Sequence, residues 1–361
     1  ITWRLDELYG ASVNAMVRRV GNVQTMGLSL SLMEDRFALE PEGVLAPAVE
    51  FLEELFFDPL TEHGVFSEDF VESEKKNLIS TIESERNEKR AYAAAQLIRR
   101  MCQGDPYAVP RLGRVQDVAA ITPETLYAHY QRILRQSRVE ITYVGAASPE
   151  RVAALLEPFG RRLGTGALWE PCQYPLKPTV PPETHFETAD VSQARLCMGF
   201  LTEVNQWHPD CAAMQVFDEL FGSGITSRLF AHVRERLGLC YSIGSSYYGS
   251  KGMLTVACGI DGEDYETVRQ EILNQLRLCA EGQITEEELD AAKRSIVSTL
   301  RSVPDSPGSV EGYYALNRIL GLELEPERYI ADVEAVGLGD AIRGAQTLKL
   351  HTVYVLKGET E

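Results

Sequence analysis

The stretch FSEDFVESEKKNLISTIES, residues 66 to 84, recurs 218 positions later as ITEEELDAAKRSIVSTLRS, residues 284 to 302. Apolar residues follow one another at steps of three and four in both copies, which is typical of an amphipathic helix. The identical pairs are Glu68 and Glu286, Lys75 and Lys293, Ser80 and Ser298, Thr81 and Thr299, and Ser84 and Ser302. The repeat indicates a chain built from two related halves.

A second, weaker match supports the duplication. DVAAI at 117–121 aligns with DVEAV at 332–336, and each is followed by a helix and then by a segment rich in β-formers. Thr122 before Pro123 predicts a helix start, and Thr285 with Glu288 predicts a capping box. The β-rich segments, 139–144 and 352–356, are predicted to be strands.

A proline-dense segment, PCQYPLKPTVPP at 171–182, separates the halves. Proline lacks an amide donor and restricts the residue before it, so this segment cannot sustain a helix or a central strand. We therefore predict an N-terminal domain (1–168), a linker (169–184) and a C-terminal domain (185–361).

Further periodic segments define the fold class. Alternation predicts strands at 26–32 and 195–200, and apolar spacing predicts helices at 44–56 and 209–221. Helices mixed with meandering strands favour an α+β fold, with two homologous domains that each have a mostly antiparallel sheet covered by helices.

Composition limits the partners of the chain. It has 361 residues, 44% of them hydrophobic, and a net charge of -18 with a pI near 4.9. This negative charge disfavours nucleic acid and anionic membrane surfaces, and no apolar run is long enough for a membrane span. The seven cysteines form an odd set without a CxxC pair, so we expect reduced, mostly buried thiols and a cytoplasmic location.

The sequence contains no complete catalytic motif. Its six histidines are scattered, and HExxH, HxxEH and GxSxG are all absent. Glu62-His63 would need histidine at position 59 to complete HxxEH, but that residue is Pro59. The glycine-rich FGSGITS, 221–227, follows a helical pattern rather than a strand, so Gly222 is interpreted as a helix C-cap and not as part of a phosphate loop.

One segment is more specific. SRLFAHVRERLGLCYS, 227–242, resembles the C-terminal signature of the pitrilysin family of inverted-HxxEH zinc peptidases, which includes insulysin and the mitochondrial processing peptidase. The repeated halves, the EK-containing helix at Glu74-Lys75 and the proline-rich linker are similar to that family. LDELYGA at 5–11 looks like the bacterial branch whose members accompany a second, catalytic peptidase.

The resemblance implies where the family's zinc site would map. The HxxEH helix would fall before Ile1, and because the sequence opens without Met we expect natural residues to precede it. A glutamate on a downstream helix completes the family's site. Here the upstream glutamate of that helix maps to Glu74 and the ligand position to Thr81, a poor zinc ligand; an alignment shifted by two residues would instead recruit Glu83.

The resemblance also assigns Arg234 and Tyr241 to the family's arginine and tyrosine of the C-terminal domain. In the family these side chains hold the substrate backbone and stabilise the oxyanion. The alternative is that Arg234 is a solvated helix residue and Tyr241 a core residue at a strand end. We expect the glycine-rich turn to contact substrate through four residues: Gly222, Gly224, Ser227 and Arg228.

The sequence is therefore interpreted as the non-catalytic subunit of a heterodimeric bacterial peptidase. The chain itself would hold no cofactor. A catalytic pitrilysin-family partner would supply zinc, and the substrate would be a peptide. Two alternatives stay open: an autonomous zinc endopeptidase with HxxEH before Ile1, and a structural scaffold subunit without a peptidase role.

Overall fold

The structure is a computed structural model, and it describes residues 1–39, 43–164, 166, 182–261 and 264–358. Their α-helices are α1 (Thr2–Glu7), α2 (Leu45–Phe57), α3 (Glu68–Ser84), α4 (Lys89–Met101), α5 (Val115–Ala119), α6 (Pro123–Gln136), α7 (Pro149–Arg162), α8 (Cys211–Asp218), α9 (Tyr265–Ala280), α10 (Glu286–Arg301), α11 (Pro307–Ile319), α12 (Pro326–Ala335) and α13 (Leu338–Thr347). Their strands are β1 (Ser12–Val20), β2 (Val23–Ser31), β3 (Thr61–Glu62), β4 (Val65–Phe66), β5 (Glu183–Thr188), β6 (Ala194–Leu201), β7 (Ser242–Tyr248), β8 (Met253–Ile260) and β9 (Lys349–Lys357). The predicted α+β class is confirmed.

The chain divides into two compact units. The first unit comprises Ile1–Thr81, Gly113–Pro171 and Ser306–Gly321, and the second comprises Ile82–Leu112, Cys172–Asp305 and Leu322–Glu361. The units therefore combine segments from both halves of the sequence. The domain boundaries at 168 and 185 were predicted from the sequence repeat, and they stay a prediction. Most of the predicted linker lies outside the described residues.

A five-stranded sheet organises the second unit. Its strand order is β5-β9-β6-β8-β7, with β5 parallel to β9 and the other neighbours antiparallel. On β6, Leu196, Met198 and Phe200 lie in the main hydrophobic core, whereas Cys197 belongs to a separate cluster on the opposite face. Both faces of the central strand are therefore buried, which explains its nearly continuous apolar sequence.

Helix α4 covers the second face of this sheet. Ala93 and Leu97 pack with Cys197, and a Cβ at Gly199 would lie 2.5 Å from the Met101 sulfur. Gly199 is thus required for the close approach of helix and strand.

The repeat extends to α4 and α11, whose first and last residues are separated by the same 218 positions. Helix α4 follows the first copy of the repeat but belongs to the second unit, and α11 follows the second copy but belongs to the first. Within the first unit, α11 is tied to β1 by an ion pair of 2.9 Å between Arg18 and Glu311.

Matching hydrogen bonds confirm that the two copies of the repeat are structurally equivalent. The Lys75 ammonium donates to the Ile121 carbonyl at 2.9 Å, and Lys293 donates to the Val336 carbonyl at 2.8 Å. In each half, the same hydrogen bond therefore joins the segment of the first sequence match to the segment of the second. The predicted helix start at Thr122 and the capping box at Thr285 are also confirmed.

The predicted strand at 139–144 is wrong. The backbone there pairs with no described strand, and the side chains of Val139, Ile141 and Tyr143 are more than a third exposed. Its counterpart, β9, is hydrogen-bonded to β5 and β6, whereas the described strands of the first unit pair only as β1 with β2 and β3 with β4. Alternation alone predicts a strand, but pairing needs neighbours.

The cysteines behave as predicted where the structure describes them. Six are free and buried; Cys172 lies outside the described residues. Burial raises the pKa of Cys197 to about 12 and that of Cys211 to about 11, so these thiols stay protonated and unreactive at neutral pH. No described helix combines the length and apolar character needed to cross a membrane.

Replacing Leu97 by alanine tests the packing of α4. Leu97 is 1% exposed, so we expect the free energy of unfolding to fall by about 2–5 kcal/mol, the usual cost of a core Leu→Ala cavity. Chemical denaturation measures the change. Leu60→Ala, at a position 68% exposed, is the matched control, and equal small losses in the two variants would contradict the packing.

Candidate functional site

The segment between α8 and β7 departs from regular α-helix at two places. Helix α8 continues as a π-helical turn, Glu219–Ser223, and a second π-helical turn spans Phe230–Arg236. Such turns are rare and occur frequently at functional sites. The predicted C-cap at Gly222 is wrong, because Gly222 lies inside the first π-helical turn and Gly224 follows its end.

Both glycines of this segment allow close packing. A Cβ at Gly222 would lie 2.6 Å from the Ser245 hydroxyl oxygen on β7, and a Cβ at Gly224 would lie 2.8 Å from the Glu219 carbonyl oxygen. Gly222 is buried, whereas Gly224 is half-buried beside the exposed Ile225. Any side chain at Gly222 would therefore push the turn away from the sheet.

Ser227 and Arg228 are buried under the same turn. The Arg228 guanidinium donates to the Gln275 side chain at 2.9 Å, to the Gln283 carbonyl and to the Glu288 carboxylate at 3.3 Å. Its donors are thus directed at groups within the second unit. The substrate-binding role of Gly222, Gly224, Ser227 and Arg228 stays a prediction.

Arg234 and Tyr241 are held together directly. The Arg234 Nε atom donates to the Tyr241 carbonyl at 3.0 Å, and the guanidinium lies 4.5 Å from the centre of the Phe230 ring. Gly238, with φ of 63°, supplies the left-handed conformation that turns the chain between them. The seven-residue spacing in the sequence is therefore the signature of one compact turn.

The Tyr241 side chain is 60% exposed, and its hydroxyl donates to the Asp261 carboxylate at 3.3 Å. Tyr241 immediately precedes β7, which is the edge strand of the sheet. An exposed hydroxyl and a half-exposed guanidinium thus lie beside the start of an edge strand, whose far part is covered where Gly222 packs on Ser245 and the Tyr247 amide donates to Asp218. This arrangement can bind an extended peptide and polarise a carbonyl oxygen of it, but it contains no nucleophile.

Asp218 fixes the turn to β7, and sequence reasoning missed it. Its carboxylate accepts hydrogen bonds from the Ser245 hydroxyl and, at 3.0 Å, from the Tyr247 backbone amide. Burial raises the pKa of Asp218 to about 6, although both hydrogen bonds oppose that shift. A carboxylate at the end of a helix whose other residues, apart from Gln215, are apolar was the available signal.

The described residues do not form a zinc site. They contain no group of three or more His, Cys, Asp or Glu side chains arranged to hold a metal ion. Thr81, on the exposed side of α3, donates its hydroxyl to the Asn77 carbonyl at 2.8 Å. Glu74 and Glu83 are also exposed on α3, so the alternative alignment does not complete a site within these residues.

Comparison with known proteins places this geometry in a family. Residues 120–296 match the family model described as the peptidase M16 inactive domain. Over 355 residues the chain is 29% identical to a probable inactive metalloprotease of Bacillus subtilis, covering 98% of this chain and 83% of the relative. A conserved protein of Enterococcus faecalis superposes over 100% of this chain and 85% of that protein, with a TM-score of 0.91 and 29% identity.

A second solved structure, a peptidase M16 inactive domain from Pseudomonas fluorescens, has the same fold at a TM-score of 0.77 and 17% identity, over 99% of this chain and 83% of that one. The chain is a homologue of the peptidase M16 family, as the resemblance to pitrilysin and insulysin predicts. More particularly, it is a homologue that carries the inactive domain of that family.

The titration of Asp218 can be tested by its effect on stability. Its pKa of about 6 lies above the unfolded value of about 3.9, so the folded protein binds more protons between these values. The contribution of Asp218 to the free energy of unfolding should therefore fall by about 2–3 kcal/mol as the pH rises from 4 to above 6.

Urea denaturation of the wild type and of Asp218→Asn at several pH values measures this contribution as their difference. The exposed Ser80→Ala variant is the control: it removes no titratable group, so its difference from the wild type should not change with pH. A constant difference for Asp218→Asn would contradict the raised pKa.

Proposed function

We propose that this chain is the non-catalytic subunit of a zinc peptidase and pairs with a catalytic M16 partner that carries HxxEH and the metal. In this proposal Arg234 and Tyr241 contribute to the site that acts on the partner-bound peptide. The hydrogen bond from the Arg234 side chain to the Tyr241 backbone carbonyl, which holds both residues in one turn, is the observation that carries the proposal.

The chemistry of the pair suits a supporting role. A guanidinium is always charged and a phenol donates one hydrogen bond, so together they can stabilise negative charge that develops on a carbonyl oxygen. Neither can generate the nucleophile. The Asp261 carboxylate orients the Tyr241 hydroxyl in the isolated chain, and a substrate oxygen would compete for that proton.

Edge strand β7 supports a peptide as the substrate. An extended chain can add to an open sheet edge through backbone hydrogen bonds, without demanding one particular sequence. The edge begins at Ser242, next to Tyr241. Asp218 and Gly222 contact the far part of β7 at Tyr247 and Ser245. A peptide bound along the part nearest Ser242 would therefore lead directly to the hydroxyl.

The properties of the relatives support the rest of the proposal. One relative is described as a probable inactive metalloprotease, and several others as uncharacterised zinc proteases, among them one from Bacillus subtilis that is 25% identical over 294 residues. The free, buried thiols suit a reducing compartment, so we place the pair in the cytoplasm.

The test is reconstitution with a purified M16 protein that carries HxxEH and is encoded beside this chain. We expect the mixture to hydrolyse an unfolded peptide in a zinc-dependent manner. Arg234→Ala and Tyr241→Phe should each lower kcat by about 10²–10³, the effect of removing one oxyanion donor. Arg236→Ala, an exposed change in the same turn, is the control and should leave kcat unchanged.

Other outcomes identify the alternatives. Hydrolysis by this chain alone, with bound zinc, would indicate an autonomous peptidase. A stable complex whose hydrolysis is unaffected by Arg234→Ala would indicate a scaffold; the fold of this chain is also found in a Complex III2 structure from Candida albicans, at a TM-score of 0.72 and 13% identity.

A further inference from the structure

We propose that the carboxylate of a bound peptide docks between Arg90 and Arg195, in a cleft on the face of the second-unit sheet that α4 covers. The proposal rests on the proposed function only in taking a peptide as the carrier of the carboxylate. The cleft itself is a feature of this chain alone.

Three adjacent strands form the floor of the cleft. Arg195 of β6 is directly opposite Gly259 of β8, and Gly259 is directly opposite Ser242 of β7. The Arg195 guanidinium occupies the space that a side chain at Gly259 would need. Its charged group therefore extends across β8 toward Ser242, at the end of the sheet where Tyr241 lies.

Helix α4 brings the second guanidinium to the same place. Successive turns of α4 contact successive residues of β6. Met101 and Leu97 lie over Gly199, and Ala93 packs in the cluster with Cys197. The next turn toward the helix N-terminus carries Arg90, which lines the cleft together with Arg195, Cys197 and Ser242.

The electrostatics of the cleft favour an anion. Although the chain has a net charge of -18, neither Arg90 nor Arg195 forms an ion pair with any described carboxylate, and the buried Nε atom of Arg195 has no acceptor among the described residues. By contrast, the buried Lys251 is paired with Asp105 at 2.8 Å.

Two carboxylates lie near the cleft in the sequence, and each has a hydrogen bond of its own. Glu88 caps the N-terminus of α4 by accepting from the Arg90 backbone amide at 3.3 Å. Asp261, two residues beyond Gly259, accepts from the Tyr241 hydroxyl. Neither forms an ion pair with Arg90 or Arg195, and an anion between the two guanidiniums would relieve the repulsion of their like charges.

Two guanidiniums favour a carboxylate, and the size of the cleft limits how far it can enter. The narrow part of the cleft has a volume of about 10 Å³, room for about one oxygen-sized group. Guanidinium groups bind carboxylates through two parallel hydrogen bonds. One carboxylate oxygen would enter between the guanidiniums while the rest of the ligand stays on the open side, where Arg90 is exposed.

The location connects this cleft to Tyr241. The Tyr241 amide donates to the carbonyl of Gly259 at 2.9 Å. Tyr241 is therefore hydrogen-bonded directly to a residue that forms the floor of the cleft. A carboxylate held there would fix the position of a peptide along the end of β7. The carboxylate can come from the C-terminus of the peptide or from an acidic side chain.

Fluorescence anisotropy on the isolated chain tests the site without any partner. The probes are three dye-labelled pentapeptides at low ionic strength: Ala-Gly-Ala-Gly-Ala with a free C-terminus, the same peptide amidated, and amidated Ala-Gly-Glu-Gly-Ala. We expect at least one carboxylate-bearing peptide to bind about tenfold or more tightly than the amidated alanine peptide, and whichever one does so identifies the source of the carboxylate.

Arg90→Gln and Arg195→Gln should each abolish that difference. Arg100→Gln, which removes an exposed arginine from the same helix, should preserve it. Circular dichroism checks folding, and Arg90→Gln decides the outcome if Arg195→Gln does not fold. Equal binding of all three peptides, or an unchanged preference in folded Arg90→Gln, would overturn the carboxylate site while leaving the reconstitution assay to judge the proposed function.

Discussion

The five-stranded sheet of the second unit has two apolar faces, and the rest of that unit depends on covering both. One face carries Leu196, Met198 and Phe200, which belong to one hydrophobic cluster with apolar residues of α8, α9, α10 and α13. The other face would expose Cys197, Tyr354 and Leu356 without α4. Burial of such surfaces is the dominant favourable term in folding, so α4 must pack there although it lies far from β6 in the sequence. Its position then determines where Arg90 lies.

Local patterns predicted much of this architecture. The repeat at 66–84 and 284–302, the caps at Thr122 and Thr285, and the strands around 26–32 and 195–200 all have short-range signals, and the structure contains each of them. The membership of α4 and α11 in opposite units has no such signal, because an amphipathic helix does not specify which sheet it covers. For the same reason the strand predicted at 139–144 was wrong: strand pairing is a property of neighbours that periodicity does not contain.

The site was predicted in part. The seven-residue step between Arg234 and Tyr241 identified a pair that the structure joins by a hydrogen bond. The glycine-rich turn was interpreted only through its sequence, which could not show that Gly222 packs on Ser245 or that Arg228 is directed at Gln275. Asp218 and the cleft between Arg90 and Arg195 join residues that are remote in the chain, and no spacing rule brings such residues together.

These features describe a chain that places polar groups beside the start of edge strand β7 and that lacks, within its described residues, a set of metal ligands. We propose that zinc belongs to a partner and not to this chain. Elemental analysis of the purified protein, expressed as its gene encodes it and without a partner, is the most direct test. We expect zinc far below one ion per chain; one tightly bound zinc per chain would contradict the proposal.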